Sequence, residues 1–313
     1  MRVFVTGASG WIGSATVVEL LQADHEVVGL ARSEASAGAL RAAGVTVESG
    51  SLDDLDVLAR AAGESDGVIH LAFKHDIAFS GDFQGAADAD RLAVETMLSA
   101  LAGTDRPFVL ASGLLGAAPG RLATEEDGHD PVVLQGMAGP QTRLATAEFV
   151  LSYAQQGVRT SVVRLPPTNH GVGDNGFIAS LIGIARDKGV SGYVGDGSNR
   201  WPAVHRFDSA HLFRLALEGS LAGATLHAVG EQGVPIYEVA EVIGRHLDLP
   251  LASIAPEDAP AHFTWMARFI GLDSPASGEY TKELLRWEPT QVGLLADLDE
   301  GHYFASAVRP FNA

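Results

Sequence analysis

Short apolar runs alternate with segments of helical periodicity through the first half of the chain. The runs are apolar throughout, which is typical of strands that are covered on both faces of a sheet. They predict strands at 2–6, 26–31, 45–48, 67–72, 107–112 and 160–165, with helices between them at 12–22, 36–42, 55–62, 85–102 and 141–156. Strands that alternate with helices at this spacing indicate a parallel sheet joined by right-handed crossovers.

The pattern changes after residue 165. Pro166 and Pro167 end the strand pattern, because proline has no amide hydrogen for a sheet ladder. Beyond them we predict helices at 175–188, 208–218, 234–247, 261–269, 281–287 and 292–305, and strands at 204–207 and 225–229. The fold class that follows is α/β, a doubly wound parallel sheet, and the second half of the chain is expected to wrap over its carboxyl edge, where open α/β sheets bind ligands. We assign residues 1–165 and 203–230 to the sheet domain and residues 166–202 and 231–313 to a smaller C-terminal lobe.

The sequence TGASGWIG joins the first predicted strand to the first predicted helix. Gly7 permits a tight turn there, Gly10 lets the backbone approach a pyrophosphate, and Gly13 allows the helix to pack closely on the sheet. The amides that begin the helix, at Trp11 and Ile12, then face the anion. This context predicts a nicotinamide-dinucleotide site rather than an ordinary glycine-rich turn.

The end of the second strand indicates which dinucleotide binds. An acid there would hold the ribose 2′-hydroxyl of NAD(H), but the chain has Arg32 and Ser33. Both can bind a 2′-phosphate, so we predict NADP(H) rather than NAD(H); the alternative is that Arg32 is a solvated residue before the next helix. Asp53, after the third strand, can accept from the adenine amino group or cap the next helix. Ala72 is small enough for the ribose to lie close.

Charge and composition exclude several classes of function. The formal net charge of -18 opposes binding to nucleic acid or to an anionic membrane. The chain has no cysteine, which rules out disulfides and a cysteine nucleophile, and no residues have metal-ligand spacing, so we predict no metal site. The longest uncharged stretch, between Arg2 and Glu19, is too short to span a bilayer, and no targeting segment is visible. We expect a soluble, cytoplasmic protein.

These features together resemble the extended short-chain dehydrogenase/reductase superfamily. The resemblance covers almost the whole chain and implies a Rossmann domain, a substrate lobe and NAD(P) as cofactor. The residues that carry it are the glycines of the turn, Asp53, His70-Leu71-Ala72, Ser112, Arg164-Leu165-Pro166 and the segment 201–208.

Members of this superfamily usually carry a catalytic Tyr-x-x-x-Lys pair on the helix after the fifth strand. Aligned on Glu148, this chain has Pro140 in place of the tyrosine and Leu144 in place of the lysine, and none of its tyrosines has a lysine four residues later. The sequence therefore resembles an atypical member, whose cofactor site carries over and whose catalytic pair does not. Arg143 can supply the missing charge beside the ribose, or it can be a solvated helix residue.

Four residues are candidates for the chemistry. Ser112, at the carboxyl end of the fifth strand, can polarise a carbonyl but is a poor acid alone. Lys74 and His75 follow the fourth strand, and either can reach a substrate oxygen as an acid, although such loop residues are commonly solvated. His170 is a further candidate acid, beside Thr168, which can hold the nicotinamide carboxamide. We interpret the acidic loop at 124–130 as solvated surface, with a gate over the active site as the alternative.

The favoured function is an NADPH-dependent reductase of a small, fairly apolar ketone or aldehyde, with a non-standard proton donor. The alternatives are an enzyme like a nucleotide-sugar epimerase or dehydratase, and a non-catalytic NADP(H)-binding sensor or scaffold. The helices at 85–102 and 141–156 form a dimer interface in many members of the superfamily, so we expect a homodimer. The residues predicted to hold the cofactor are Gly7, Ser9, Gly10, Trp11, Ile12, Gly13, Arg32, Ser33, Leu52, Asp53, Leu71, Ala72, Phe73, Arg143, Pro166 and Thr168.

Overall fold

The computed structural model describes residues 1–118, 120–128 and 140–305, with the backbone alone at 79 and 140–144. Its strands, in chain order, are β1 (Arg2–Thr6), β2 (Glu26–Ala31), β3 (Thr46–Ser49), β4 (Gly67–His70), β5 (Pro107–Gly113), β6 (Arg159–Leu165), β7 (Thr168–His170), β8 (Ser191–Val194), β9 (Arg200–His205), β10 (Ala224–His227), β11 (Glu231–Pro235) and β12 (Leu251–Ile254). Seven strands form a parallel sheet in the order β10-β6-β5-β4-β1-β2-β3. The strand order reverses between β1 and β4, which opens a crevice at their carboxyl ends.

Helices cover both faces of this sheet, and further helices pack in a separate cluster after β6. They are α1 (Trp11–Gln22), α2 (Glu34–Ala42), α3 (Leu55–Gly63), α4 (His75–Phe79), α5 (Phe83–Leu101), α6 (Pro140–Ser152), α7 (Phe177–Lys188), α8 (Arg206–Gly219), α9 (Ile236–Leu247), α10 (Ala259–Phe263), α11 (Glu279–Leu285) and α12 (Leu294–Asp299). Leu20 of α1 and Phe213 of α8 belong to one buried cluster, and Leu58 of α3 and Met97 of α5 belong to another. The two clusters explain why the central strands of the sheet are largely apolar, and the architecture confirms the predicted doubly wound Rossmann fold. No helix in the described ranges is long and apolar enough to cross a membrane.

The lobe after β6 contains strands that the sequence pattern hides. β7 begins directly after Pro166 and Pro167 and pairs with β9, which also pairs with β11, while β8 and β12 form a second small sheet. The strand predicted at 204–207 therefore lies in the three-stranded sheet of β11, β9 and β7 and ends at His205, because Arg206 begins α8. The helix predicted from residue 234 was wrong at its start, because Val234 pairs with Trp201 in a strand.

Two predicted C-terminal helices are shorter in the structure. The segment 261–269 is interrupted at Thr264, whose φ of 54° leaves the right-handed helical region, so a 3₁₀ turn replaces the second half. The segment 292–305 is helical only in α12. Tyr303 lies beyond α12, and its hydroxyl contacts both the Gly171 amide and the Asp174 carboxylate. The end of the described chain therefore packs against the loop after β7.

Candidate functional site

The carboxyl ends of β1, β2, β4, β5 and β6 open into one cleft of about 680 Å³, which the start of α7 and Phe269 also border. This volume is in the range of small-molecule and cofactor sites. Most predicted site residues line it: Gly7, Ser9, Gly10, Trp11, Ile12, Gly13, Arg32, Leu52, Leu71, Ala72, Phe73, Lys74, His75, Ser112 and Pro166. The described residues Ser33, Asp53, Thr168 and His170 do not line it, and the side chain of Arg143 lies outside the described part of the chain.

The glycine-rich turn is shaped by contacts that no larger residue permits. Gly7 has φ +69°, and a Cβ added to it would lie 2.8 Å from the Ala72 nitrogen. A Cβ at Gly13 would lie 2.0 Å from the Gly7 oxygen. Within the described residues no side chain caps the N-terminus of α1, and Gly10, Trp11 and Ile12 line the cleft there, so the first amides of the helix are left for a ligand. This cradle of backbone amides fits the pyrophosphate of a nicotinamide dinucleotide.

A buried polar network holds the edge of the sheet beside this turn. The Thr6 hydroxyl lies 2.7 Å from Nδ1 of His70, and Nε2 of His70 lies 3.1 Å from Oδ1 of Asp90. The Ala72 amide donates to the Thr6 hydroxyl oxygen at 3.3 Å. Since the three side chains are almost fully buried, this network fixes β1, β4 and α5 relative to one another.

The end of β2 carries the residues predicted to select the dinucleotide. The Arg32 guanidinium lies 3.0 Å from a carboxylate oxygen of Asp76, in α4, and both side chains are exposed. Ser33 instead caps α2, where its hydroxyl accepts the Ser36 amide in a capping box. Arg32 therefore borders the cleft while Ser33 serves the helix.

A second ion pair borders the same end of the cleft. The Lys74 ammonium lies 2.7 Å from both carboxylate oxygens of Asp53. Asp53 was predicted either to bind adenine or to cap α3, but the capping position belongs to Asp54, whose carboxylate accepts from the Ser51 amide and hydroxyl. Lys74 is therefore held towards the β3–α3 loop.

Ser112 lies at the end of β5, where the sequence placed it. It is 4% exposed and lines the cleft, and its Oγ makes no hydrogen bond to any residue in the described part of the chain. A buried hydroxyl without a partner costs free energy, which a ligand in the cleft would recover by accepting its hydrogen.

Sequence reasoning missed an acid that lines the cleft. Asp174 is 3% exposed, accepts the Gly176 amide at 2.7 Å and accepts the Tyr303 hydroxyl at 3.0 Å. Burial raises its pKa to about 6, against the effect of these hydrogen bonds. Its short loop between β7 and α7 looks like an ordinary glycine-rich turn in the sequence. Only the hydrogen bond from Tyr303, near the end of the chain, distinguishes Asp174 from a residue of an ordinary turn.

His170 does not reach the cleft, so the structure corrects its proposed role as an acid. It is fully buried in β7, where Nδ1 lies 2.9 Å from Asp297 and the ring packs edge-on against His205. The predicted contact of Thr168 with the cofactor is corrected as well. Its hydroxyl donates to the Pro202 carbonyl, and the residue is 1% exposed.

The acidic loop is partly buried rather than solvated. Glu125 is 7% exposed, and its carboxylate accepts the Thr281 amide at 2.9 Å and the Thr281 hydroxyl at 2.6 Å. The Asp127 side chain pairs with Arg121, and its carbonyl accepts from Arg164. The described part of this loop therefore ties the lobe to the sheet, and residues 129–130 lie outside the described range.

A Rossmann sheet with a glycine cradle and an adjoining cleft defines the class of nicotinamide-dinucleotide-dependent enzymes. The chain belongs to the NAD dependent epimerase/dehydratase family, whose model matches residues 3–229. This confirms the resemblance found in the sequence.

Several similar proteins match nearly the whole chain. An uncharacterized protein of Schizosaccharomyces pombe is 46% identical over 97% of this chain and 100% of its own length. The 2'-dehydrokanamycin reductase of Streptomyces kanamyceticus is 28% identical over 94% of this chain and 78% of its own. A dTDP-glucose 4,6-dehydratase of Streptomyces venezuelae, solved with NAD bound, superposes with a TM-score of 0.76, at 21% identity over 96% of each chain. Family and relatives together indicate an NAD(P)-dependent oxidoreductase.

Proposed function

We propose that the protein is an NADPH-dependent reductase of a small, fairly apolar ketone or aldehyde. The observation that carries this proposal is at Ser112, a residue that lines the cleft and whose buried hydroxyl makes no hydrogen bond within the described residues. A carbonyl oxygen is the acceptor that such a donor suits. The position of Arg32 favours a 2′-phosphate, and the similarity to a reductase supports the direction of the reaction.

The residues divide the work as follows. NADPH, when bound, supplies the hydride. The turn from Gly7 to Gly13 holds the pyrophosphate, and Ser112 holds the substrate oxygen and stabilises the negative charge that develops on it. A serine hydroxyl is too weak an acid to deliver the proton by itself. His75 and Asp174 line the cleft and are our candidates for that task, whereas the ammonium of Lys74 is held by Asp53.

The substrate's chemical class follows from the cleft wall outside the glycine turn. That wall is formed largely by apolar side chains, namely Leu114, Leu115, Leu165, Pro166, Pro167, Phe177 and Phe269. Besides His75, the ionisable residues among the described lining of the whole cleft are Arg32, Lys74 and Asp174, and the first two border the end where the adenosine of the dinucleotide would lie. A neutral carbonyl compound therefore fits better than a phosphorylated one.

The test is NADPH oxidation across a panel of ketones and aldehydes. With a turned-over substrate, Ser112→Ala should lower kcat/KM by about 10²-fold while NADPH still binds, because one donor to the developing oxyanion is lost. Ser152→Ala is the matched control, since its hydroxyl serves only the Phe149 carbonyl on an exposed helix end. NADPH binding without turnover of any carbonyl would favour the sensor. Tightly retained NAD with no use of free NADPH would favour the epimerase.

We also propose a homodimer through α5 and α6, in the cytoplasm as predicted. The Arg91 guanidinium of α5 stacks 3.3 Å from the ring centroid of Phe149 in α6, which joins the two helices into one surface. Leu92 on α5 is 50% exposed. Light scattering at several protein concentrations tests the dimer, and a mass of one chain throughout would exclude it.

A further inference from the structure

Two ion pairs border the end of the cleft where the adenosine of the dinucleotide would lie. One partner of each pair belongs to the same short segment of the chain. Lys74 and Asp76 are two residues apart in the segment that follows β4. Lys74 pairs with Asp53 at 2.7 Å, and Asp76 pairs with Arg32 at 3.0 Å. In each pair the cation lines the cleft while the described carboxylate partner does not. The two cleft cations are therefore already neutralised.

We propose that Asp76 is a specificity-determining residue, which limits the preference for NADP(H) over NAD(H) by occupying the guanidinium of Arg32. The inference rests on the proposed NADP(H) site. The acid that usually follows the second strand in NAD-binding Rossmann folds is absent here, and an acid delivered by α4 stands at that strand's end instead.

The competition follows from the geometry of the guanidinium. A 2′-phosphate uses the planar donor fork of an arginine, and Asp76 already accepts from Nη1. Binding of the phosphate must displace this carboxylate or place a second anion beside it. A ribose with a free 2′-hydroxyl needs neither change, so Asp76 weakens NADP(H) binding selectively.

The solvent exposure of the two side chains limits how strongly Asp76 can weaken NADP(H) binding. The Arg32 and Asp76 side chains are 71% and 59% exposed, so their pair is weak and screened by salt. Arg32 holds the pKa of the Asp76 carboxyl below its usual range, so Asp76 stays charged at neutral pH. Loss of the carboxylate charge should tighten NADPH binding by about three- to tenfold at low salt.

The experiment measures Kd by fluorescence titration, separately for NADPH and NADH, so it needs no substrate. We expect Asp76→Asn to lower the Kd for NADPH three- to tenfold while the Kd for NADH changes by less than about twofold. Arg32→Gln should weaken NADPH binding about tenfold and leave NADH binding unchanged. In the Arg32→Gln background, Asp76→Asn should lose its selective effect.

Glu34→Gln is the matched control. Glu34 is exposed, lies on α2 close to Arg32 in the chain, and pairs with Arg41 at 3.5 Å, so the variant removes the same charge without freeing Arg32. The inference is overturned if Asp76→Asn lowers the Kd for NADPH and for NADH equally, or if it changes the Kd for NADPH no more than Glu34→Gln does. It is also overturned if Asp76→Asn still lowers the Kd for NADPH in the Arg32→Gln background. A protein that binds neither dinucleotide would overturn the proposed function and this inference together. Dinucleotide binding without reduction of any carbonyl compound would contradict the proposed reductase activity and leave this inference standing.

Discussion

The phenol of Tyr303 donates a 3.0 Å hydrogen bond to the carboxylate of Asp174, 129 residues away in the chain. Both side chains are buried, and Asp174 lines the cleft. Burial raises the pKa of Tyr303 above its usual range, so the phenol remains protonated and acts as the donor. The pair fixes an acid with a pKa of about 6 at the wall of a site that has no Tyr-x-x-x-Lys pair.

The raised pKa of Asp174 should make stability fall as the pH rises. Between pH 4 and 6 the folded protein keeps a proton that the unfolded chain releases, so the wild type loses up to about 3 kcal/mol of unfolding free energy across this range. Asp174→Asn should lack this loss. Urea unfolding of both proteins at pH 4.5 and pH 7 measures it, and an equal pH dependence in the two would contradict the assignment.

His227 should make the stability of the protein change with pH in the opposite direction. It is fully buried, Nδ1 lies 2.8 Å from the Ser277 carbonyl, and burial lowers its pKa to about 4. Between pH 6.5 and 4 the unfolded chain binds a proton that the folded protein refuses, so this contribution, about 3 kcal/mol at most, is lost as the pH falls. His227→Asn should remove that part of the acid loss. If the acid transition keeps its midpoint and steepness in the variant, His227 is not its cause.

Two glycines in neighbouring helices should respond oppositely to the same substitution. Gly13→Ala places a Cβ 2.0 Å from the Gly7 oxygen, which must push α1 away from β1. We therefore expect the free energy of unfolding to fall by about 2–3 kcal/mol and NADPH binding to be lost. Gly38→Ala in α2 meets nothing within 4 Å and should stabilise the protein by about 0.5–1 kcal/mol. Urea unfolding and NADPH titration test both. Normal NADPH binding by the Gly13 variant would exclude the cradle as the pyrophosphate site.

Much of the Rossmann part could be predicted because its signals are local. The strand–turn–helix order and the glycines at 7, 10 and 13 act through backbone sterics within a few residues, and the cradle lies where the sequence placed it. Ser112 was placed by its position at a strand end, which a parallel sheet turns into a position at the cleft. The lobe resisted prediction because its strands are short and one follows two prolines.

What the sequence determined by itself is therefore the sheet, the cradle and the class of cofactor. What only the tertiary structure decided is the partner of each charged group. Arg32 meets Asp76 from 44 residues away, and Glu125 is buried by a contact with Thr281 from 156 residues away. A local pattern cannot foresee such pairs, because a charge is solvated or neutralised by whichever distant group the fold brings to it. For the same reason His170, which was predicted to reach the cleft, lies instead in a buried contact with Asp297.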